Sequence, residues 1–309
     1  MWSFEKFVGC CAASFFSLAY YYVGIYLLSC VVICICYPGI WSWATFAPLG
    51  ISFLFPVSRF SAWILRTYFF RCILKYFDYD EVLEISHSEV KKIEESKKII
   101  FAAVPHGVMS FCGMCHGIKC ADEGYNIPPT AAASVILKIP ILRNIFGLYG
   151  LIDASKKSLI KQLKKGSVLI YIGGMAELFL SSPTREELHL NDRKGFIKLA
   201  MVTGSEVVPV YFIGNTSGLR VLRSAALSRV SRALGASVTW TWGLLGLPVP
   251  RPDKMVTVRG RPLGIPKIDN PTQEDIDKWH AKYVGEVKRL FEKYKVTNPN
   301  YVNKELIIS

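Results

Sequence analysis

The sequence predicts an α/β protein: an N-terminal membrane hairpin followed by a layered domain with a largely parallel sheet. Three observations carry that expectation. Residues 7–58 contain no Asp, Glu, Lys or Arg, although charged residues make up 20% of the chain. Three later apolar runs, at 99–104, 167–172 and 207–213, have the length and continuity of strands buried on both faces. Helical patterns lie between them, and strands alternating with helices build parallel sheets.

The uncharged stretch comes first. Residues 7–36 exceed the roughly 20 that a membrane span needs. A secretory signal has a shorter apolar core, about 7–15 residues, behind a cationic start; here Glu5 and Lys6 cancel. Tyr37-Pro38-Gly39 then breaks the helix, since proline lacks the amide hydrogen and glycine tolerates the turn. The second uncharged leg, 40–58, is interrupted by Pro48 and Pro56 and suits a re-entrant or interfacial segment. Arg59, Arg66, Arg71 and Lys75 follow at once, which places this flank on the cytosolic side. A hairpin with its tip at 37–39 fits; so does one long tilted span. Residues 1–75 are thus expected to be the anchor with its basic flank, and 76–309 the catalytic domain.

That domain opens with a charged helix over 88–98 and the strand 99–104. A helix over 155–165 starts at Asp153 or Ser155 and is stopped by Gly166. The strands 167–172 and 207–213 flank an apolar helix over 195–203, and a weaker strand covers 255–258. Thr272 with Asp275 three residues on resembles a capping box. The helix it opens has an apolar stripe of Ile276, Trp279, Tyr283, Val287, Leu290, Phe291 and Tyr294.

Lys and Arg number 37 against 24 Asp and Glu, a net charge of +13. A surface that basic suits anionic lipid headgroups or a polyphosphorylated co-substrate such as a CoA thioester. Zinc-finger and RNA-recognition signatures are missing, which argues against nucleic acid. Of nine cysteines, Cys10, Cys11, Cys30, Cys34 and Cys36 sit in the apolar stretch. Their odd number and uneven spacing fit a reducing compartment rather than a disulfide framework.

Three segments hold residues suited to chemistry. Pro105, His106 and Gly107 follow the strand 99–104, at the sheet edge where ligands sit in open α/β folds. Proline ends the strand, glycine admits a substrate, and an imidazole at the rim can take a proton from a hydroxyl. Alternatively, His106 is structural and bonds a loop carbonyl. Gly173, Gly174 and Glu177 follow the strand 167–172. The glycine amides suit an oxyanion and Glu177 suits orienting an imidazole, though a tight turn with a first-turn glutamate looks the same. Arg193, Lys194 and Gly195 open the helix 195–203, where they suit phosphates or simply form a solvated turn.

Two further patterns are weaker. Cys112-Gly113-Met114-Cys115-His116 matches the haem-attachment pattern, and Cys120 adds a fourth soft ligand for zinc. Haem attachment belongs to exported chains and structural zinc gathers two separated ligand pairs, so buried thiols on a helix are expected and no metal. Residues 219–234 read as a basic amphipathic helix, with Arg220, Arg229 and Arg232 on one side and Arg223 among the apolar residues; it suits an anionic leaflet and, equally, a packed surface of the domain.

In order, these segments resemble the diacylglycerol acyltransferase type 2 family, which includes monoacylglycerol acyltransferases and some wax-ester synthases. The resemblance rests on VPHG (104–107), IGGMAE (172–177), RKGFIKLAMVTGSEVVPVYFIGN (193–215) and PTQEDIDKWHAKYVGEVKRLF (271–291), and spans about residues 97–295. It implies a glycerolipid-acyltransferase-like domain and acyl transfer from acyl-CoA to the free hydroxyl of diacylglycerol. His106 would be the general base, and amides at Gly173 and Gly174 would hold the oxyanion. Arg193 and Lys194 would hold the CoA phosphates. Acyl-CoA is then the co-substrate, with no cofactor, metal or covalent acyl-enzyme. The implied setting is the endoplasmic reticulum membrane with the domain facing the cytosol, extending to lipid droplets, and homo-oligomers are compatible with it. Monoacylglycerol and long-chain alcohols stay open as acceptors. A non-catalytic hairpin protein coating lipid droplets is the rival, but it would need neither the histidine nor the glycine pair nor the RKGF block. Two departures stand out. Val104 replaces the family's usual His or Tyr, and Phe111 stands where the wider superfamily has an aspartate. Glu177 is therefore the candidate to orient His106.

Overall fold

The chain folds as helices on both faces of a twisted sheet. The computed structural model describes residues 2–57, 60–174, 177, 184–222, 229, 231 and 239–309. Helix α1 (Phe4–Cys36) is followed by the short helices α2 (Ile40–Ala44), α3 (Ala47–Ser52), α4 (Ala62–Leu65) and α5 (Tyr68–Tyr76). Then come β1 (Asp80–Leu83), α6 (His87–Ser96), β2 (Ile99–Val104), α7 (Phe111–Glu123) and β3 (Thr130–Ala132). The middle of the chain forms α8 (Leu142–Gly147), β4 (Leu151–Asp153), α9 (Lys156–Leu163), β5 (Val168–Tyr171) and β6 (Arg185–Leu188). It continues through α10 (Gly195–Thr203), β7 (Glu206–Ile213), β8 (Arg220–Val221) and β9 (Thr241–Trp242). The described residues end with β10 (Val256–Arg259), α11 (Gln273–Tyr294) and β11 (Glu305–Ile308).

Among the described residues seven strands form the main sheet, in the order β1-β10-β7-β2-β5-β3-β4. Every pairing in it is parallel except β10 with β7. The central strands are apolar on both sides because both sides are covered. Ile100, Ala102 and Val104 of β2 join Val207, Tyr211 and Ile213 of β7 in a core with α9, α10 and α11. Ile99, Phe101 and Ala103 face the other way with Val208, Val210 and Phe212, against α1, α4, α5 and α7. The capping box at α11 forms as expected, Thr272 accepting from the Asp275 amide and Asp275 from the Thr272 amide.

The N-terminal stretch is a hairpin whose base belongs to the domain. Gly9, Ala12, Ala13, Phe16 and Ala19 of α1 are buried, with Ala12, Ala13 and Phe16 in the same cluster as Phe70 and Ile73 of α5. The N-terminal end stays with the domain too, since the Trp2 ring meets the Tyr76 ring edge-on at 5.6 Å. Beyond Val23 the exposure changes: Ile35 is 74% and Trp41 86% exposed. The return leg folds back along α1, with the Tyr26 hydroxyl donating to the Thr45 carbonyl at 2.6 Å. It rejoins the domain where Ser52 Oγ accepts from the Ile141 amide. This leg is broken into α2 and α3, as Pro48 requires. One expectation needs correcting. Residues 220–221 form β8 and not the start of a helix; most of the expected amphipathic helix, including Arg223 and Arg232, lies outside the described residues.

Close approach of α1 to α5 makes a direct prediction. A Cβ on Gly9 would lie 2.1 Å from the Cys72 carbonyl oxygen, whereas one on Gly24 meets nothing within 4 Å. Gly9→Val should destabilise the protein by about 1–3 kcal/mol, as overpacking does. Gly24→Ala should leave stability unchanged or slightly raised. Thermal unfolding of both variants in detergent micelles is the measurement.

Candidate active site

Three neighbouring parallel strands end at one edge of the sheet. Val104 at the end of β2 lies opposite Tyr211 of β7, and Ala103 lies opposite Tyr171 at the end of β5. Each strand therefore delivers its next residues to the same place: His106 from β2, Gly173, Gly174 and Glu177 from β5, and Asn215 from β7.

The imidazole of His106 has its tautomer set locally. Nδ1 lies 2.8 Å from the Gly107 carbonyl oxygen. A carbonyl only accepts, so Nδ1 carries the hydrogen and Nε2 keeps its lone pair. Burial holds the imidazole below its usual pKa, against the opposing effect of the Gly107 hydrogen bond. The ring meets Tyr171 edge-on at 4.7 Å, and the Tyr171 hydroxyl donates to Ser110 Oγ.

Glu177 does not orient that ring. Its Oε2 accepts from the backbone amide of His106 at 2.8 Å, which is a correction to the sequence reading. The side chain is 1% exposed, and its Oε1 is buried without a close hydrogen-bond partner among the described residues. Burial pushes the carboxyl up to about 8, the His106 amide opposing and the Glu186 charge adding to it. Gly173 is explained by the same carboxyl, because a Cβ there would fall 1.9 Å from Glu177 Oε1. Gly174 has φ +58 and open space on its Cβ side. Met175 and Ala176 lie outside the described residues.

Asn215 is the residue that sequence reasoning missed. It is buried, and its Nδ2 donates to the carbonyls of Pro105 and His106 at 3.1 and 2.7 Å. Its Oδ1 accepts from the amide of Cys112 in the first turn of α7 at 3.0 Å. Gly107, at φ +63, gives way to it, for a Cβ would lie 2.9 Å from Nδ2. The available signal was positional: Asn215 follows the apolar strand β7 much as His106 follows β2.

The RKGF segment lies at the start of α10. Arg193 is exposed, has no ion pair among the described residues, and its charge reaches Glu177. Lys194 is engaged by Asp277 at 2.8 Å, and Gly195 is exposed at the first helical position. On α7, Cys112, Cys115 and Cys120 are buried, and burial pushes the thiols of Cys112 and Cys115 well up. His116 pairs with Glu81 at 2.7 Å. Burial works against its charge, but Cys120 and Glu81 push it up to about 10. Among the described residues no group of His, Cys, Asp or Glu is arranged to hold a metal.

A family model for diacylglycerol acyltransferase matches residues 36–308. The chain belongs to the diacylglycerol acyltransferase family. Diacylglycerol O-acyltransferase 2 of Dictyostelium discoideum is 33% identical over 65% of this chain and 67% of its own. Human 2-acylglycerol O-acyltransferase 3 is 28% identical over 77% of this chain and 74% of its own. Among solved structures, the 1-acyl-sn-glycerophosphate acyltransferase PlsC of Thermotoga maritima aligns with 87% of this chain and 94% of its own, at 16% identity and a TM-score of 0.40. In this member of the family, then, the His106 loop is held by a carboxyl on its amide and a carboxamide on its carbonyls.

Those contacts predict how Asn215→Asp behaves. The isosteric carboxyl would face two carbonyl oxygens and so stay protonated above its unfolded pKa of about 3.9. A raised folded pKa means stability is fullest in acid and is lost as pH rises through the window above about 4. Denaturant unfolding at pH 5 and pH 8 should give a variant destabilised by about 1–3 kcal/mol more at the higher pH than the parent.

Proposed function

We propose that this protein is an acyl-CoA-dependent O-acyltransferase forming triacylglycerol from diacylglycerol at a membrane surface, with His106 as general base. The observation that carries the reading is the state of His106: Nδ1 is committed to Gly107, and Nε2 is left as a base at the edge where three strands end. Nε2 takes the proton of the acceptor hydroxyl as its oxygen attacks the thioester carbonyl carbon. The tetrahedral intermediate collapses, the carbon–sulfur bond breaks, and the CoA sulfur leaves with the proton returned by the imidazolium. The Gly173-Gly174 turn is the candidate oxyanion donor. Arg193, exposed and unpaired among the described residues, is the better placed cation for CoA phosphates; Lys194 has first to leave Asp277. Acyl-CoA is the co-substrate, and the step as written uses no cofactor.

Direct attack is favoured over an acyl-enzyme because the two nucleophiles described beside His106 are occupied. Ser110 Oγ accepts from Tyr171 and from the Gly113 amide, and the Cys112 thiol is held far from its thiolate by burial. The 2-acylglycerol acyltransferase among the relatives supports monoacylglycerol as a second acceptor. The exposed apolar half of α1 and its return leg support anchoring in a bilayer. About 20 Å of helix lies beyond Val23, at 1.5 Å per residue, against about 30 Å of hydrocarbon. The hairpin therefore enters and leaves by one face. Arg66, Arg71 and Lys75 at its base, with free thiols throughout, support a cytosolic domain on the endoplasmic reticulum.

Two variants test the mechanism with labelled acyl-CoA and a panel of diacylglycerol, monoacylglycerol and long-chain alcohol. His106→Ala should lose at least about 10²-fold in rate at unchanged membrane insertion; near-normal turnover would overturn the base assignment. Glu177→Gln keeps the oxygen that the His106 amide needs and should retain activity near pH 7. It should also alter the pH dependence of stability. A carboxyl raised from about 4.5 to about 8 binds its proton more tightly when folded, so its contribution is full in acid and falls as pH rises between those values. The melting temperature of the parent should therefore drop relative to Glu177→Gln from pH 5 to pH 8.

A further inference from the structure

Outside the hairpin the structure holds a second apolar surface beside α1. The β8–β9 ribbon and the loop at residues 243–249 pack along the turns of α1 where its exposed stretch begins. Ser17 Oγ donates to the Pro248 carbonyl at 2.7 Å. Tyr21 shares a hydrogen bond with Thr241 Oγ1 at 2.8 Å and accepts from the Thr241 amide at 3.0 Å. The ring of Trp240 meets that of Tyr21 at 5.5 Å. Next to these contacts the apolar side chains point outward: Leu245 is 88% exposed, with Leu222, Trp240 and Leu247 about half exposed.

The loop is built to keep Leu245 out. Its base is closed by bonds from the Gly243 amide to the Leu247 carbonyl and from the Leu244 amide to the Val249 carbonyl. Leu245 itself sits at φ +53, a left-handed conformation that a leucine adopts only when its surroundings impose it. Two arginines flank the surface. Arg220 is exposed and lies opposite Trp242 in the ribbon. The Arg251 amide bonds the Gly218 carbonyl, and Arg251 is held below its usual range first by burial and then by the Arg220 charge. Neither guanidinium has an ion pair among the described residues. Exposed apolar side chains, an aromatic and two arginines close by, without ion pairs among the described residues, supply what a bilayer interface takes, hydrocarbon contacts and phosphate contacts.

We propose that Leu222, Trp240, Leu245 and Leu247 form a second membrane contact, dipping into the leaflet that the hairpin enters, with Arg220 and Arg251 on its phosphates. The occupant is a phospholipid surface because this patch is continuous with the apolar hairpin through Ser17 and Tyr21. Two contacts fix the tilt of the domain where a hairpin alone leaves it free to swivel. The proposal rests on reading the hairpin as a membrane element, and the experiment separates the two.

p-Benzoylphenylalanine is placed singly at Ile35, Leu245 and Glu274 in the full chain. Each variant is reconstituted in phosphatidylcholine vesicles with or without phosphatidylserine, irradiated and weighed by mass spectrometry. Phospholipid adducts are expected at Ile35 and Leu245 and none at Glu274, which lies on α11 across the sheet from α1. Phosphatidylserine should raise the yield at Leu245, and Arg220→Gln with Arg251→Gln should abolish that rise. Lipid at Ile35 with only protein adducts at Leu245, or with none, overturns the second contact and leaves the hairpin standing. Protein adducts at Leu245 would mark a second copy of the chain instead. Absence of lipid from both positions overturns the hairpin reading as well.

Discussion

One buried side chain ties the edge of the sheet together. Asn215 donates from its carboxamide nitrogen to the carbonyls of Pro105 and His106, one on each side of the His106 Cα, and receives the Cys112 amide on its oxygen. The end of β7, the loop after β2 and the start of α7 are thereby fixed to one another. Each such bond is worth only about 1 kcal/mol net, but leaving three buried peptide groups unpaired costs much more. With the loop held at its carbonyls by Asn215 and at its amide by Glu177, His106 needs no carboxylate on its ring. The Gly107 carbonyl selects the tautomer, and that carbonyl is fixed by the same loop.

How much of this could be read beforehand follows from what each signal reports. The strands 99–104 and 207–213 declared themselves because burial on both faces leaves an unbroken apolar run, and the structure places them at β2 and β7. The helix 195–203 and the Thr272 cap were legible because local hydrogen bonding sets them. Strands such as β1 and β6 are not legible, since Asp80, Glu81, Arg185 and Glu186 make them look like turns; in the fold Glu81 meets His116 and Glu186 meets Lys304, while Asp80 and Arg185 stay exposed. Within the site, His106 and Glu177 were visible as chemistry-bearing residues after strands. The glutamate's target was not, because whether a carboxyl reaches a ring or an amide depends on loop geometry. Asn215 carried no signal of chemistry, and its role appears only once β7 is known to lie beside β2.

The N-terminal hairpin and the His106 loop share one core. Phe16 of α1 packs among Phe70, Phe146 and Tyr149, in the cluster that also holds Phe111, Cys112, Cys115 and Ile118 of α7. The first turn of that helix is where Asn215 attaches. Displacing α1 at its base would therefore be felt at α7, and α7 borders the His106 loop. Packed interiors transmit such shifts because they contain little free volume to absorb them. A hairpin joined by a flexible linker would give the site no such coupling.

A second chain of interactions approaches the site from the opposite side. β11 pairs with β6 and brings Lys304 to Glu186, both nearly fully buried, at 3.5 Å. Thr216 and Tyr301 complete the pair, with Thr216 Oγ1 2.9 Å from Glu186 Oε2 and 2.8 Å from the Tyr301 hydroxyl. Burying two charges recovers little net stability, because desolvation offsets most of their attraction. Its consequence here is electrostatic: the Glu186 charge adds to burial in raising Glu177, and Lys304 in turn lowers Glu186 against the burial that raises it. Burial remains the first cause of the raised Glu177 carboxyl, and Lys304 bears on it only at second hand, through Glu186.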